Sequence, residues 1–140
     1  MNITLLSDVS LSIIIHISAA IIAVVLGLIQ LLGKKGTKSH RILGRVWVIA
    51  MAVICISSFG IKDLMPNGAF GGYSPIHLLS IMTLAVLVLS VSAARSGKIK
   101  LHRITMIWTY IGALIVAGLF TFLPGRLLYH VVLEPLLNFF

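Results

Sequence analysis

The sequence predicts an all-α membrane protein: a four-transmembrane up-down helix bundle made of two tandem helical hairpins, followed by a C-terminal interfacial amphipathic helix. Three observations carry this expectation. Of the 140 residues, 59% are hydrophobic and only 10% charged, with a mean hydropathy of +1.14, whereas soluble domains carry about 25% charged residues. The apolar residues fall into four runs, each long enough to cross a bilayer, which takes roughly 20 residues. The connections between the runs are short, and short connections make consecutive helices antiparallel neighbours. A chain this apolar cannot cover a water-soluble surface, so a soluble globular enzyme is excluded. Its single cysteine, Cys55, also excludes an internal disulfide and any CxxC redox or metal motif. Residues 1–140 read as one transmembrane domain.

The first span is Leu11–Leu32, which contains no charged residue. The second is expected over residues 43–61, with Arg45 near its start, where a long side chain snorkels to the headgroups. The third covers about 76–94 and the fourth about 104–123, stopped by Pro124 and Gly125. The segment before the first span has no Lys or Arg and no small-residue cleavage site follows that span, so the first helix is expected to be retained rather than removed as a signal. After the fourth span, Arg126, His130 and Glu134 recur every four residues, with Leu127, Leu128, Val131 and Val132 mostly opposite. This pattern predicts an interfacial amphipathic helix over 126–140.

Charge orients the bundle. The formal net charge is +8, from 11 Lys and Arg against 3 Asp and Glu. Lys34, Lys35, Lys38, Arg41 and Arg45 surround the first connection, and Arg95, Lys98, Lys100 and Arg103 surround the third. The positive-inside rule puts these two clusters in the cytoplasm, with both termini and the second connection on the outer side. The net charge is thereby assigned to orientation and calls for no nucleic-acid partner. Phe70 and Tyr73, in and beside the glycine-rich outer loop, are expected as interface anchors.

An internal repeat is the strongest lead to function. Ile15-His16 is followed 25 positions later by His40-Arg41, and Ile76-His77 is followed 26 positions later by His102-Arg103. A basic-x-Gly turn precedes the second histidine of each half, Lys34-Lys35-Gly36 in one and Arg95-Ser96-Gly97 in the other. Because the first and third helices run the same way, the halves are a parallel repeat about the membrane normal. His16 and His77 then lie toward the outer side, and His40 and His102 toward the cytoplasmic side. From His16 to the end of its helix is roughly 24 Å at about 1.5 Å per residue, so the pairs occupy two depths. Beside His16 run Ser12, Ala19, Ala20, Ala23, Gly27 and Gln30, a small and polar stripe that leaves room for a flat group or makes a helix-packing seam. His77 shares a side with Ser80 and Ser90, with Thr83 nearer the edge.

Imidazole is an axial ligand of haem iron, and bundles build cofactor sites from facing helices. The expected sites are one or two b-type haems, with iron held by His16 and His77 on the outer side and by His40 and His102 on the inner side. The propionates require cations, for which Arg41, Arg45, Lys100 and Arg103 are available inside, and Arg126 and Lys62 outside. Zinc usually takes four ligands, more than each depth supplies. Hydrolytic chemistry lacks its parts: there is no HExxH, no GxSxG and no carboxylate within a span.

Gly27-x-x-Gln30 and the basic turn, then His40-Arg41-x-x-Gly44-Arg45-x-Trp47-x-x-x-Met51, form the first part of a wider pattern. His77-Leu78-Leu79, His102-Arg103-x-x-Met106 and Phe122-x-Pro124-Gly125-Arg126 complete it. From about His16 to Arg126 the chain resembles the small bacterial membrane proteins grouped as domain of unknown function 2306, which implies the fold and no chemistry. In layout it is also similar to the di-haem core of transmembrane cytochromes b. That resemblance implies His16 with His77 and His40 with His102 as bis-histidine ligands. Two flanking helices of the cytochromes have no counterpart among the four spans.

The function expected is therefore transmembrane electron transfer by a haem b protein, an oxidoreductase in the broad sense. Its expected partners are the lipid bilayer, quinol or another small reductant, and a second copy or a larger membrane complex. Two alternatives remain open. A non-redox, small-solute or proton-coupled transporter would use His16 and Gln30 as midplane polar groups. A structural or assembly subunit would use the small-residue seam as its contact.

Overall fold

The computed structural model describes residues 10–61, 75–123, 129 and 133–137. Every regular element among them is helical. The four long helices are α1 (Leu11–Leu32), α2 (Lys38–Ser58), α3 (Pro75–Arg95) and a fourth that begins as α4 (Ile99–Trp108). The fourth passes through a π-helical segment, Thr109–Val116, into the short α5 (Ala117–Phe120). All four are long and apolar enough to span a membrane. In the tail, only Tyr129, Leu133 and the short α6 (Glu134–Leu137) that Leu133 precedes are described. The rest of the expected amphipathic helix, including Arg126 and His130, lies outside the described residues, as do Lys62, Phe70 and Tyr73.

Two helix starts differ from those read off the apolar runs. The second helix begins at Lys38 rather than near 43, because the Thr37 hydroxyl accepts the His40 backbone N–H at 3.1 Å and caps it. The fourth begins at Ile99 rather than near 104. In both, basic residues that hydropathy assigns to a loop form the first turns of a helix.

The two connections at this basic end share a glycine device. Gly36 has φ +76° and Gly97 φ +74°, and each stands immediately before the N-cap of the next helix. Left-handed backbone is strained for side chains with a Cβ and not for glycine. Around Gly97, Lys98 N–H reaches Ala93 O at 2.8 Å and Gly97 N–H reaches Ala94 O at 3.3 Å, the paired bonds of a Schellman end. In the first connection Lys35 Nζ instead caps α1, at 2.7 Å from the carbonyls of both Leu31 and Gly33. There a cation also meets the negative end of the helix dipole.

Packing closes a ring. α1 lies on α2, α2 on α3 and α3 on α4, and the π-helical segment returns to both α1 and α3. The core is Ala19, Ala23, Trp47, Ala50, Met51, Ile54, Leu87, Tyr110 and Leu114. Leu, Ile and Val side chains such as Leu11, Ile49, Ile56 and Val88 face outward and are more than half exposed, as a lipid-facing surface requires.

At mid-depth, two aromatic side chains reach into α1. Trp47 Nε1 donates to Ala23 O at 2.9 Å, and the Tyr110 hydroxyl donates to Val24 O at 3.2 Å. Both rings lie over Gly27, where a Cβ would collide with Tyr110 and would meet Trp47 Nε1 at 2.8 Å. The small stripe beside His16 is thus a packing seam within this chain at Ala19, Ala23 and Gly27. The room it leaves is occupied by Trp47 and Tyr110.

Candidate functional site

The four transmembrane histidines sit at the two ends of the bundle, above and below that aromatic layer. At the basic end, His102 is held in place across the α3–α4 hairpin. Its Nδ1 lies 3.1 Å from the Ser90 carbonyl and 3.1 Å from the Ser90 hydroxyl. A carbonyl only accepts, so Nδ1 carries the ring proton and Nε2 keeps its lone pair. The Ser90 oxygen is 3.3 Å from the His102 carbonyl, and the Thr105 hydroxyl lies 2.8 Å from it. Ser90 is almost wholly buried, at 1% exposure.

His40 stands in the first turn of α2. Its carbonyl accepts the Gln30 side-chain amide at 2.7 Å, a contact made possible by Gly44, where a Cβ would meet Gln30 Nε2 at 2.9 Å. Gln30 thereby ties the end of α1 to the start of α2, at the basic end rather than at mid-depth. The His40 ring has a buried Nδ1 with no hydrogen-bond partner among the described residues. It lies within electrostatic reach of His102 and Lys35. The two histidines of the inner pair thus share the basic end and interact electrostatically. Arg41, Arg45, Lys100 and Arg103 are exposed around it, and Arg41 Nη2 donates to Gly36 O at 3.2 Å.

At the opposite end, both histidines approach the last turns of α2. His16 Nδ1 is 3.1 Å from Ser57 Oγ. The Ser57 hydroxyl donates to Ile54 O at 3.1 Å. Having spent its one proton, Ser57 accepts from His16, so His16 is also the Nδ1–H tautomer with Nε2 as a lone pair. His77 is buried, with its ring centroid 5.4 Å from that of Phe59 at an interplanar angle of 49°. Next to it, Ser58 Oγ and Ser80 Oγ are 2.8 Å apart. His16 thus meets Ser57 in the last turn of α2, and His77 meets Phe59 just beyond it. The outer cations named for propionates, Arg126 and Lys62, fall outside the described residues. No cluster of three or more His, Cys, Asp or Glu side chains occurs among the described residues.

Several residues that position this site escaped the sequence reading. Ser57 is one, although the Ser57-Ser58 pair in an apolar run is a visible polar signal. Thr105 is another, placed one turn after Leu101, whose carbonyl its hydroxyl reaches at 2.9 Å. Thr83, read as peripheral, is buried. The π-helical register of Thr109–Val116 has no sequence pattern of its own. It begins at Thr109, whose hydroxyl bonds the Thr105 carbonyl one turn back, a competition that bends helices.

The motif residues shared with a known family now have physical roles. Gly27 admits Trp47, Gln30 bonds at His40 over Gly44, and Met51 is the most buried side chain of α2, at 1% exposure. No curated protein and no solved structure matches the chain. The family model described as predicted membrane protein, domain of unknown function 2306, matches residues 13–134. Spanning nearly the whole of the four-helix bundle, that match makes this chain a member of the domain of unknown function 2306 family.

Proposed function

We propose that the protein binds haem b through its transmembrane histidines and transfers electrons across a bacterial inner membrane. The carrying observation is at the basic end: a buried, unpartnered His40 Nδ1 within electrostatic reach of His102. A buried imidazole nitrogen without a partner costs about 1–3 kcal/mol, which a ligand between the two rings would offset. His102 fits the role of an axial ligand, because ligating histidines usually donate their second N–H to a carbonyl or carboxylate. Its Nδ1 is so placed, against the Ser90 carbonyl, and the oriented Nε2 is free to bind. Arg41, Arg45, Lys100 and Arg103 would pair with the propionates. His16, whose Nδ1 is held by Ser57, and His77 would serve a second haem at the other end.

Haem would supply the one-electron chemistry, as cofactors do. The chain supplies the ligands, fixes their tautomers, and insulates the interior with the Trp47–Tyr110 layer. Basic clusters support placing the His40–His102 end in the cytoplasm, with both termini outside. Quinol or another small reductant is the proposed electron donor. The test is the visible spectrum of the protein purified in detergent from haem-replete cells, oxidised and dithionite-reduced. A Soret band and sharp reduced α-bands are expected. Their absence sinks the haem reading. His102→Ala should remove the inner site and spare the outer one, while equal loss from every single-histidine variant would contradict two separate sites.

A further inference from the structure

The buried face of α3 is polar along most of the membrane. Its buried side chains among the described residues are His77, Ser80, Thr83, Leu87, Ser90 and Ala93, and four of these six are polar. Small Ser and Thr side chains also suit close helix packing, and their polar contacts contribute only about 0.6 kcal/mol on average. Ionisable groups within spans mark ion and proton routes, and His77 and His102 stand at the two ends of this polar face. The other buried polar side chains continue the same line: Ser58 on α2, in contact with Ser80, and Thr109 on the fourth helix.

The polar groups recur at intervals of a turn or two, in direct contact at Ser58–Ser80 and at Ser90–Thr105–His102. From His77 to Ser90 is about 20 Å at roughly 1.5 Å per residue. Ser80 and Thr83 are one turn apart. At the basic end the Thr105 hydroxyl lies 2.8 Å from Ser90 Oγ, and Ser90 Oγ is 3.1 Å from His102 Nδ1. Thr109 lies one turn beyond Thr105, which leaves an axial gap of roughly 5 Å to the level of Thr83. Leu87 is the one apolar residue of α3 in that interval to be buried. A single bridging water spans such a gap.

We propose that this hydroxyl ladder is a proton path through the bundle, from the His77–Ser80 end to the Ser90–Thr105–His102 cluster, with Leu87 as its constriction. Each hydroxyl turns from the carbonyl it bonds at rest, accepts a proton on a lone pair and passes its own to the next hydroxyl or bridging water. Only O–H and N–H bonds are made and broken, and one proton leaves one face for each that appears at the other. The path does not rest on the haem reading, because hydroxyls rather than imidazole Nε2 atoms form the run.

The full chain, reconstituted in liposomes with a trapped pH indicator and a potassium diffusion potential, tests this directly. Wild-type protein should carry protons faster than protein-free liposomes. Thr83→Val and Thr109→Val keep side-chain shape while removing the hydroxyl, and should bring the flux down to the protein-free rate. Thr121→Val, whose hydroxyl bonds Gly118 O away from the ladder, should leave it unchanged. Leu87→Ser should raise it, and decides the matter if either valine variant fails to fold. The proposal is overturned by wild-type flux at the protein-free rate, by valine variants that conduct like wild type, by an equal fall in Thr121→Val, or by no rise in Leu87→Ser. A haem spectrum recorded on the same samples separates the two readings, since either can fail without the other.

Discussion

The two hairpins share a frame and differ in what fills it. Both turn at the basic end through a left-handed glycine, Gly36 or Gly97, and both place a histidine in the first turns of the returning helix. Inside, the first hairpin is joined by Trp47 on the Ala23 carbonyl and by Gln30 on the His40 carbonyl, contacts that require the bare backbone of Gly27 and Gly44. The second is joined by hydroxyls: Ser90 and Thr105 on each other and on His102. One hairpin therefore supplies close packing, and the other supplies hydrogen-bonding groups that can change partners. The duplicated frame sets where the histidines stand, and the diverged interiors set what surrounds them.

The largest expected break in that comparison is Gly27→Leu. Its side chain would be driven into Tyr110 and Trp47, and overpacking of this kind costs about 1–3 kcal/mol. Unfolding of the detergent-solubilised protein should report the loss. A leucine inserted at Gly118, where a Cβ meets nothing within 4 Å, should have little effect. If the two variants are equally stable, the aromatic layer does not hold the first hairpin together.

Much of this frame was legible in the sequence, for physical reasons. Four apolar runs give the spans because lipid tolerates little else, and the glycines and histidines of the repeat stand out against so apolar a background. The second and fourth helices extend beyond their apolar spans, to Lys38 and Ile99, because Lys38, Arg41, Lys100 and Arg103 are hydrophilic yet helical. Hydropathy measures burial in lipid and does not mark where a backbone begins to coil. The placement of His40 and His102 at the same end of the bundle followed from the repeat. Contacts made across the ring did not follow, because Trp47 over Gly27 and Tyr110 at Val24 depend on how the fourth helix returns to α1. That return passes through the π-helical segment, which no periodicity announces.

Next in size are the turn glycines, which test whether the halves are equivalent. Neither Gly36 nor Gly97 has a neighbour within 4 Å of an added Cβ, so alanine there meets only the backbone penalty. That penalty is roughly 1–2 kcal/mol for left-handed backbone. Gly36→Ala and Gly97→Ala should lose similar stability in the same unfolding measurement. A marked inequality would mean that one connection re-forms without its left-handed residue. The Schellman bonds around Gly97 make that half the less adaptable.

The smallest stability effects are expected from Gln30→Leu and Ser90→Ala, and their contrast is the most informative. Each removes polar contacts worth about 0.6 kcal/mol apiece on average in a membrane bundle, so both variants should fold. Gln30 acts on the backbone of His40, whereas Ser90 Oγ touches the ring of His102 at 3.1 Å. If His102 ligates haem, Ser90→Ala should weaken retention by about tenfold, the low end for loss of such a supporting contact. The low end applies because the Ser90 carbonyl remains at 3.1 Å from Nδ1. Gln30→Leu should retain haem like wild type, as measured by the Soret band that survives competition with apomyoglobin. Equal retention in both variants would mean that the hydroxyls of the second hairpin only pack helices, and that its difference from the first has no consequence for a ligand.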